Sequence, residues 1–185
     1  MRKAARLLLI GVAFGILGAT GARAQSPASH YINRPWEFNF HLGALLFDDE
    51  IADGGELMLG ARLVHNWPSG WGFGGNFDYS QIEDDVDVFL YSGEVDYTFG
   101  SPTRTHFFVG LGLGAASFSD DRRPDDDDSE THLLIPLAIG VKHFNRTNDP
   151  NWAIRGELRD NIIRLEDPDE TTHNIELSAG ISFLL

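Results

Sequence analysis

The sequence predicts an all-β fold, an eight-stranded antiparallel up-and-down β-barrel that spans a membrane and is preceded by a cleavable signal peptide. Apolar and polar residues alternate with a period of two over eight stretches of about ten residues each, which is typical of strands with two unlike faces. Short turns alternate with longer, acidic connections along the chain. No apolar run after the N-terminal segment is long enough for a spanning helix.

The N-terminus has the three-part layout of a secretory signal peptide. Arg2, Lys3 and Arg6 form a cationic start, residues 7–19 are apolar, and Ala22-Arg23-Ala24 places small residues where a signal peptidase reads them. A membrane anchor is the alternative, but a spanning helix needs about 18 apolar residues. We therefore expect residues 1–24 to be a signal peptide, 25–35 a short periplasmic segment and 36–185 the barrel domain.

Composition excludes several classes of function. The chain of 185 residues has 14 Lys and Arg against 28 Asp and Glu, a net charge of -14. Removing residues 1–24 leaves 10 basic residues against 28 acids, or -18. Such a chain lacks the basic face that binds nucleic acid. The absence of cysteine excludes a disulfide scaffold, a thiolate zinc site and a cysteine nucleophile.

The strands follow from the alternation in order along the chain. In the first, Trp36, Phe38 and Phe40 alternate with Glu37 and Asn39. The predicted strands are Trp36–Phe47, Glu56–Trp67, Trp71–Ser80, Val88–Phe99, Thr105–Phe118, His132–Phe144, Trp152–Asn161 and His173–Leu185. In the sixth, Pro136 has no N–H to donate, so we expect a bulge or an interrupted ladder there.

The connections differ between the two ends of the predicted barrel. Residues 68–70, 100–104 and 145–151 are short and rich in turn formers. The other connections are 48–55, 82–87, 119–131 and 162–172, and they hold 19 of the 28 acids. This asymmetry is expected of an outer-membrane barrel. The run 125–128 lacks the spaced ligands and glycine of a calcium loop, so a solvated acidic loop is favoured over a cation site.

Alternation alone does not say whether the apolar face points to lipid or to a soluble core, as in a lipocalin-like barrel or a β-sandwich. The tryptophans decide it, since all four lie on the apolar face at the short-turn end, and aromatic belts are a membrane feature. The predicted aromatic girdle is Trp36, Trp67, Trp71, Phe99, Phe107, Trp152 and Phe183.

The polar face carries charges of both signs, and these are expected to fill the lumen as an ion-pair network. Its predicted members are Glu37, Arg62, Asp78, Glu94, Asp96, Lys142, Arg155, Glu157, Arg159 and Glu176. A polar plug is favoured over a narrow gated pore or a proton-binding site.

The chain resembles the small eight-stranded outer-membrane β-barrels of Gram-negative bacteria, of the OmpA, OmpX and OmpW type. The resemblance covers residues 36–185 and rests on strand number, loop asymmetry, the Ala22-Arg23-Ala24 signal end and the terminal strand Ile175–Leu185. In that family the last strand usually ends in an aromatic residue, whereas here Phe183 is followed by two leucines. The stretch Trp152–Asp160 also resembles the penultimate strand of such barrels.

The resemblance implies an integral outer-membrane location and contacts with outer-membrane lipids, lipopolysaccharide and the barrel-insertion machinery. The favoured function is a non-enzymatic, porin-like barrel with acidic extracellular loops, serving envelope integrity or surface contacts. The alternatives are a narrow channel for small solutes and a lipid A-modifying enzyme. No histidine is paired with a serine in one motif, and no histidine pair has metal-ligand spacing. We therefore expect no catalytic residues, no cofactor and no metal site, and the sequence identifies no extracellular partner.

Overall fold

The computed structural model describes residues 31–47, 55–82, 86–99, 103–120, 130–165 and 171–185. They form a closed antiparallel barrel in which each strand pairs with the next along the chain and the last pairs with the first. The strands are β1 Trp36–Leu46, β2 Gly55–Asn66, β3 Trp71–Ile82, β4 Val86–Thr98, β5 Thr105–Asp120, β6 Glu130–Phe144, β7 Trp152–Arg164 and β8 Thr171–Leu184. The predicted fold class is confirmed. The predicted signal peptide lies outside the described residues.

The barrel closes between β1 and β8, which pair without interruption from Glu37 opposite Leu184 to Leu46 opposite Ile175. Closure leaves no strand edge with unpaired backbone groups, which the hydrocarbon core of a bilayer would not tolerate. Among the described residues, no helix has the length and apolar character needed to cross a membrane.

Several strands extend further into the acidic connections than the alternation predicted. β5 continues to Asp120, β6 begins at Glu130, and β7 continues to Arg164. Backbone pairing does not depend on side-chain polarity, so the ladders continue after the apolar pattern has ended. Most of the remaining acidic segments, 48–54, 83–85, 121–129 and 166–170, lie outside the described residues.

Pro136 interrupts the ladder between β5 and β6 without shifting its register. Leu111 pairs with Leu137 and Gly114 with Leu134, so both sides of the interruption keep the same offset, while residues 112 and 113 have no partner in the ladder. On its other side Pro136 pairs with Asn161 of β7. The expected disturbance is therefore an interrupted ladder and not a bulge, because the missing N–H removes a hydrogen bond but adds no residue.

The two faces of the wall have opposite character. Large apolar side chains cover the outside, among them Leu57, Leu42 and Phe107, which are 86%, 70% and 64% exposed. Most charged side chains of the strands point inward and are buried. This arrangement is that of a barrel in lipid, because a soluble barrel would bury its apolar face. The faces are therefore oriented as the sequence predicted.

Candidate functional site in the barrel interior

The barrel interior has three layers along its axis. At the long-connection end lies an apolar layer, in the middle a network of charged groups, and at the short-turn end a smaller group of aromatic and aliphatic side chains. The apolar layer consists of Leu45, Phe47, Met58, Ile82, Val88, Leu90, Ala116, Leu134 and Ile163. The sequence pattern did not predict this layer, since it indicated a polar lumen throughout.

The middle layer holds the ten charged residues named from the sequence, and each is at most 5% exposed. Four of them are cations and six are carboxylates. Charges of both signs lie within contact distance, as burial of charge in a low-dielectric interior requires.

Glu157 on β7 accepts hydrogen bonds from three guanidinium groups. Arg62, from β2, binds both carboxylate oxygens at 3.0 Å. Arg155 donates its Nε–H over 2.9 Å, and Arg159 donates from its NH2 atom over 2.6 Å. Bidentate, charge-assisted bonds of this kind are the strongest that side chains make. They hold β2 and β7 together across the lumen.

The two acidic residues of β4 that face the lumen form ion pairs with the same arginine side chains. Glu94 lies 2.8 Å from Arg159 and 3.2 Å from Arg62. Asp96 lies 3.5 Å from Arg155. The network therefore joins β2, β4 and β7, which are not neighbours in the wall.

Near the short-turn end, Lys142 on β6 lies 2.7 Å from Glu37 on β1. Glu37 also accepts a hydrogen bond from Ser182 over 2.8 Å. Phe108, which the alternation did not place inside, points into the lumen, with its ring centre 3.8 Å from the guanidinium carbon of Arg155 and 5.5 Å from Nζ of Lys142. Aromatic faces stabilise cations in such positions.

The N-terminal segment enters the short-turn end of the barrel. The Tyr31 side chain is 1% exposed and packs with Phe144, Ala153 and Leu184. Its hydroxyl accepts a hydrogen bond from Lys142 over 3.4 Å. Burial raises the pKa of the Tyr31 phenol, and the nearby Glu37 carboxylate raises it further. Tyr31 therefore stays protonated and closes this end.

A second buried cluster lies closer to the β1–β8 closure. His41, Asp78 and Glu176 come from β1, β3 and β8, and one ligand-type atom of each lies within 4.8 Å of the others. The Nε2 atom of His41 is 2.6 Å from the Oδ1 atom of Asp78. A Cβ atom at Gly60 would overlap both of these side chains, so glycine makes room for them. His41 is not among the lumen residues predicted from the sequence, although its period-two position on the polar face of β1 is the same as that of Glu37.

The space between these side chains is narrow. The gap lined by Asn39, His41, Arg62, Arg155, Glu157, Ser178 and Gly180 is too small to hold a water molecule. In the described part of the lumen, the charged layer is therefore packed, and apolar side chains lie at both of its ends.

The aromatic residues predicted as a girdle lie on the outer face at the short-turn end. Six of the seven are between 39% and 64% exposed, and Phe99 is half-buried. His65 lies between Trp36 and Trp67, with ring centres 4.9 Å away on each side. Aromatic rings on the outer face of a membrane barrel favour the headgroup level, which is the position predicted for this girdle.

A closed eight-stranded barrel with an apolar outer surface, an aromatic girdle and a charged, filled lumen defines the class of integral outer-membrane β-barrels. No protein-family model matches the chain, and no curated protein matches it.

Several solved structures share the fold. Neisserial surface protein A (NspA) has a TM-score of 0.71 at 13% identity, covering 82% of this chain and 97% of that chain. The N-terminal β-barrel domain of OprF from Pseudomonas aeruginosa has a TM-score of 0.53 at 16% identity, covering 80% and 97%. OprG from the same organism has a TM-score of 0.51 at 10% identity, covering 82% and 97%. The chain has the fold of small eight-stranded outer-membrane barrels, and together with its lipid-facing surface this fold indicates the outer membrane as its location.

Proposed function

We propose that the protein is a non-enzymatic outer-membrane barrel that serves envelope integrity or surface contacts through its acidic connections. The observation that carries this proposal is the filled lumen, in which buried ion pairs lie between two apolar layers. Such an interior stabilises the wall, and in the described part of the lumen its charged groups are buried away from any substrate. The proposed contacts are outer-membrane lipids, lipopolysaccharide and, during assembly, the barrel-insertion machinery.

The surface role is supported by the asymmetry of the chain. Of the 28 acids, 19 lie in the four connections at one end, and in barrels of this fold the longer loops face the outside of the cell. The name of NspA describes that structural neighbour as a surface protein. An acidic external face would favour cationic partners or divalent cations shared with lipopolysaccharide.

A channel is disfavoured by the packing of the lumen. An ion crossing it would have to pass the apolar layer at one end and Tyr31 with its apolar neighbours at the other. Between them, the gap beside Arg62 and Glu157 does not admit water.

An enzyme is disfavoured by the positions of the imidazole groups on the outer face. The Thr105 hydroxyl lies 2.9 Å from Nδ1 of His143 near the short-turn end. Asp160 lies 2.9 Å from Nδ1 of His173 towards the opposite end. In the described residues, these contacts do not bring a nucleophile, a base and an acid together.

Single-channel recording in planar bilayers tests the proposal. We expect no conductance steps from the refolded protein. Folded protein on unboiled gels of the same vesicle preparation is the control for successful insertion. Discrete steps from the unmodified protein would support the channel instead. Mass spectrometry of lipid A from a deletion strain should show no change, and an altered acylation pattern would support an enzyme.

A further inference from the structure

The charged layer of the lumen is not electrically balanced. Its ten members comprise six carboxylates and four cations, and the neighbouring His41 carries no charge when neutral. If every acid is ionised, the described interior has a formal charge of -2. Uncompensated buried charge is costly in a low-dielectric environment. Two protons or one divalent cation would remove the imbalance.

A chain of hydrogen bonds fixes the tautomer of His41. Ser182 gives its single hydroxyl proton to Glu37 over 2.8 Å, so it accepts from the amide of Asn39 over 3.1 Å. The Oδ1 atom of Asn39 therefore accepts the Nδ1–H of His41 over 3.0 Å. In a neutral imidazole this leaves a lone pair on Nε2. That atom lies 2.6 Å from Oδ1 of Asp78, a second acceptor, so a shared proton or a metal cation has to join the two atoms.

The carboxylates of this cluster are held as metal ligands usually are. The other oxygen of Asp78 accepts a hydrogen bond from the Asn76 amide. Glu176 accepts hydrogen bonds from Ser178 over 2.9 Å and from Asn161 over 3.1 Å. Ligands in metal sites are commonly oriented by such outer hydrogen bonds. The Oδ1 atom of Asn161, on the same amide that donates to Glu176, is buried without a hydrogen-bond partner.

We propose that His41, Asp78 and Glu176 bind one divalent transition-metal ion of the zinc type inside the barrel. One imidazole nitrogen and two carboxylate oxygens suit zinc and its neighbours, whereas calcium and magnesium prefer oxygen donors alone. Donors about 2.0–2.2 Å from a tetrahedral ion are about 3.3–3.6 Å apart. His41 and Asp78, now 2.6 Å apart, therefore have to separate by roughly 0.7–1 Å on binding, and Gly60 presents no side chain that would hinder this.

The nearest cation does not occupy this position. Arg159 is 3.7 Å from the Oδ2 atom of Asp78 and from Glu176, whereas its short contacts, at 2.8 and 2.6 Å, are with Glu94 and Glu157. Its charge is therefore neutralised mainly by the acids of β4 and β7. The dication would neutralise the remaining pair of carboxylates.

The ligands come from the first, third and last strands, so the site is complete only when β1 and β8 have paired. In the described part of the lumen, the gap beside His41 is too small for a water molecule, so we expect the ion to be taken up as the barrel closes. Bound metal would therefore stabilise the closed state, because an ion that binds only folded protein shifts the equilibrium towards it.

The test is refolding of the full mature chain into phosphatidylcholine vesicles, with Zn²⁺ or with a chelator, followed by desalting and elemental analysis. We expect about one zinc ion per folded barrel, and a higher midpoint of heat unfolding on unboiled gels than in chelator. His41→Gln and Glu176→Gln should each lower the retained zinc by roughly tenfold or more. Co²⁺ in place of Zn²⁺ should give visible absorption bands that these variants lose.

His132→Gln is the matched control, since His132 is also buried in the lumen but lies outside the cluster. It should retain zinc as the unmodified chain does. Gel mobility before heating reports the folded fraction, so zinc is counted per folded barrel. Folded unmodified protein that retains no zinc would overturn the proposal and indicate that protons balance the charge. Equal retention by His41→Gln would also overturn it and indicate binding elsewhere.

Discussion

The Nζ atom of Lys142 on β6 lies 2.7 Å from the Oε2 atom of Glu37 on β1, and the two side chains are 0% and 1% exposed. These strands are separated in the wall by β7 and β8. The ion pair therefore crosses the lumen and joins two parts of the barrel that share no backbone hydrogen bonds. Removing either partner leaves a buried charge that no solvent can reach.

Lys142→Met should destabilise the barrel by about 3–5 kcal/mol, because Glu37 would remain charged and buried. The double variant with Glu37→Gln should cost less than the sum of the single changes. Urea unfolding in lipid vesicles measures these free energies. As a control, Arg34→Met breaks an ion pair with Asp149 whose side chains are 33% and 60% exposed, and should cost less than about 1 kcal/mol. If the double variant costs as much as the two single changes together, the two side chains are not energetically coupled and the prediction is wrong.

Leu42→Arg tests the depth of the lipid-facing surface. Leu42 is 70% exposed and lies six residues after Trp36, about 15 Å above the girdle for a strand tilted by about 40°. The substitution should cost about 2–4 kcal/mol, as expected near the bilayer midplane. Leu46→Arg, on the same strand and face but at its far end, should cost at most about 1 kcal/mol. Equal costs at the two depths would show that this face does not contact lipid.

Gly180→Ala tests the closure of the barrel. A Cβ atom at Gly180 would overlap the backbone oxygen of Phe40 on β1, whereas one at Gly156 would be 3.8 Å from Val141. The first substitution should cost about 1–3 kcal/mol through overpacking, and Gly156→Ala should change stability by no more than about 0.5 kcal/mol. The measurement is the temperature at which the folded band disappears on unboiled detergent gels. A Gly180→Ala band as heat-resistant as that of the parent would argue against the β1–β8 contact.

The mature protein should begin at Gln25 and fractionate with the outer membrane. The predicted cleavage follows the small residues Ala22 and Ala24. Mass spectrometry of the intact protein recovered from membranes determines its first residue. Replacing Ala24 with Arg should block cleavage and retain the precursor, with Ala19→Ser as a tolerated control. Recovery of the protein in the soluble periplasm would contradict the membrane assignment.

The sequence predicted the wall of the barrel well because a wall depends on local pattern. Alternation along one strand, as in Trp36, Glu37, Phe38 and Asn39, identifies both a strand and its two faces. At the short-turn end, each connection of three to seven residues is too short to join any strands but adjacent antiparallel ones. No long-range information is needed for either step.

The interior was predicted less completely because its contacts depend on register and curvature. His41, Asp78 and Glu176 are far apart in sequence, and only the pairing of β1 with β8 and the closure of the wall bring them together. Met58 and Phe108 are apolar residues on the inward face, so a prediction of the interior from charged side chains alone leaves them out. Their positions become clear only when the layers at the two ends of the lumen are seen.

The missing backbone pairs beside Pro136 make the wall mechanically uneven. β1 and β8, which close the ring, are joined by a continuous ladder, whereas β5 and β6 lose their pairing at residues 112 and 113. Gly112 offers no side chain to compensate, and the ring of Pro136 leaves only 2.7 Å for one. Within the long β5–β6 ladder, this gap is therefore the place where the two strands can separate locally, well inside the wall and away from the junction of the chain ends.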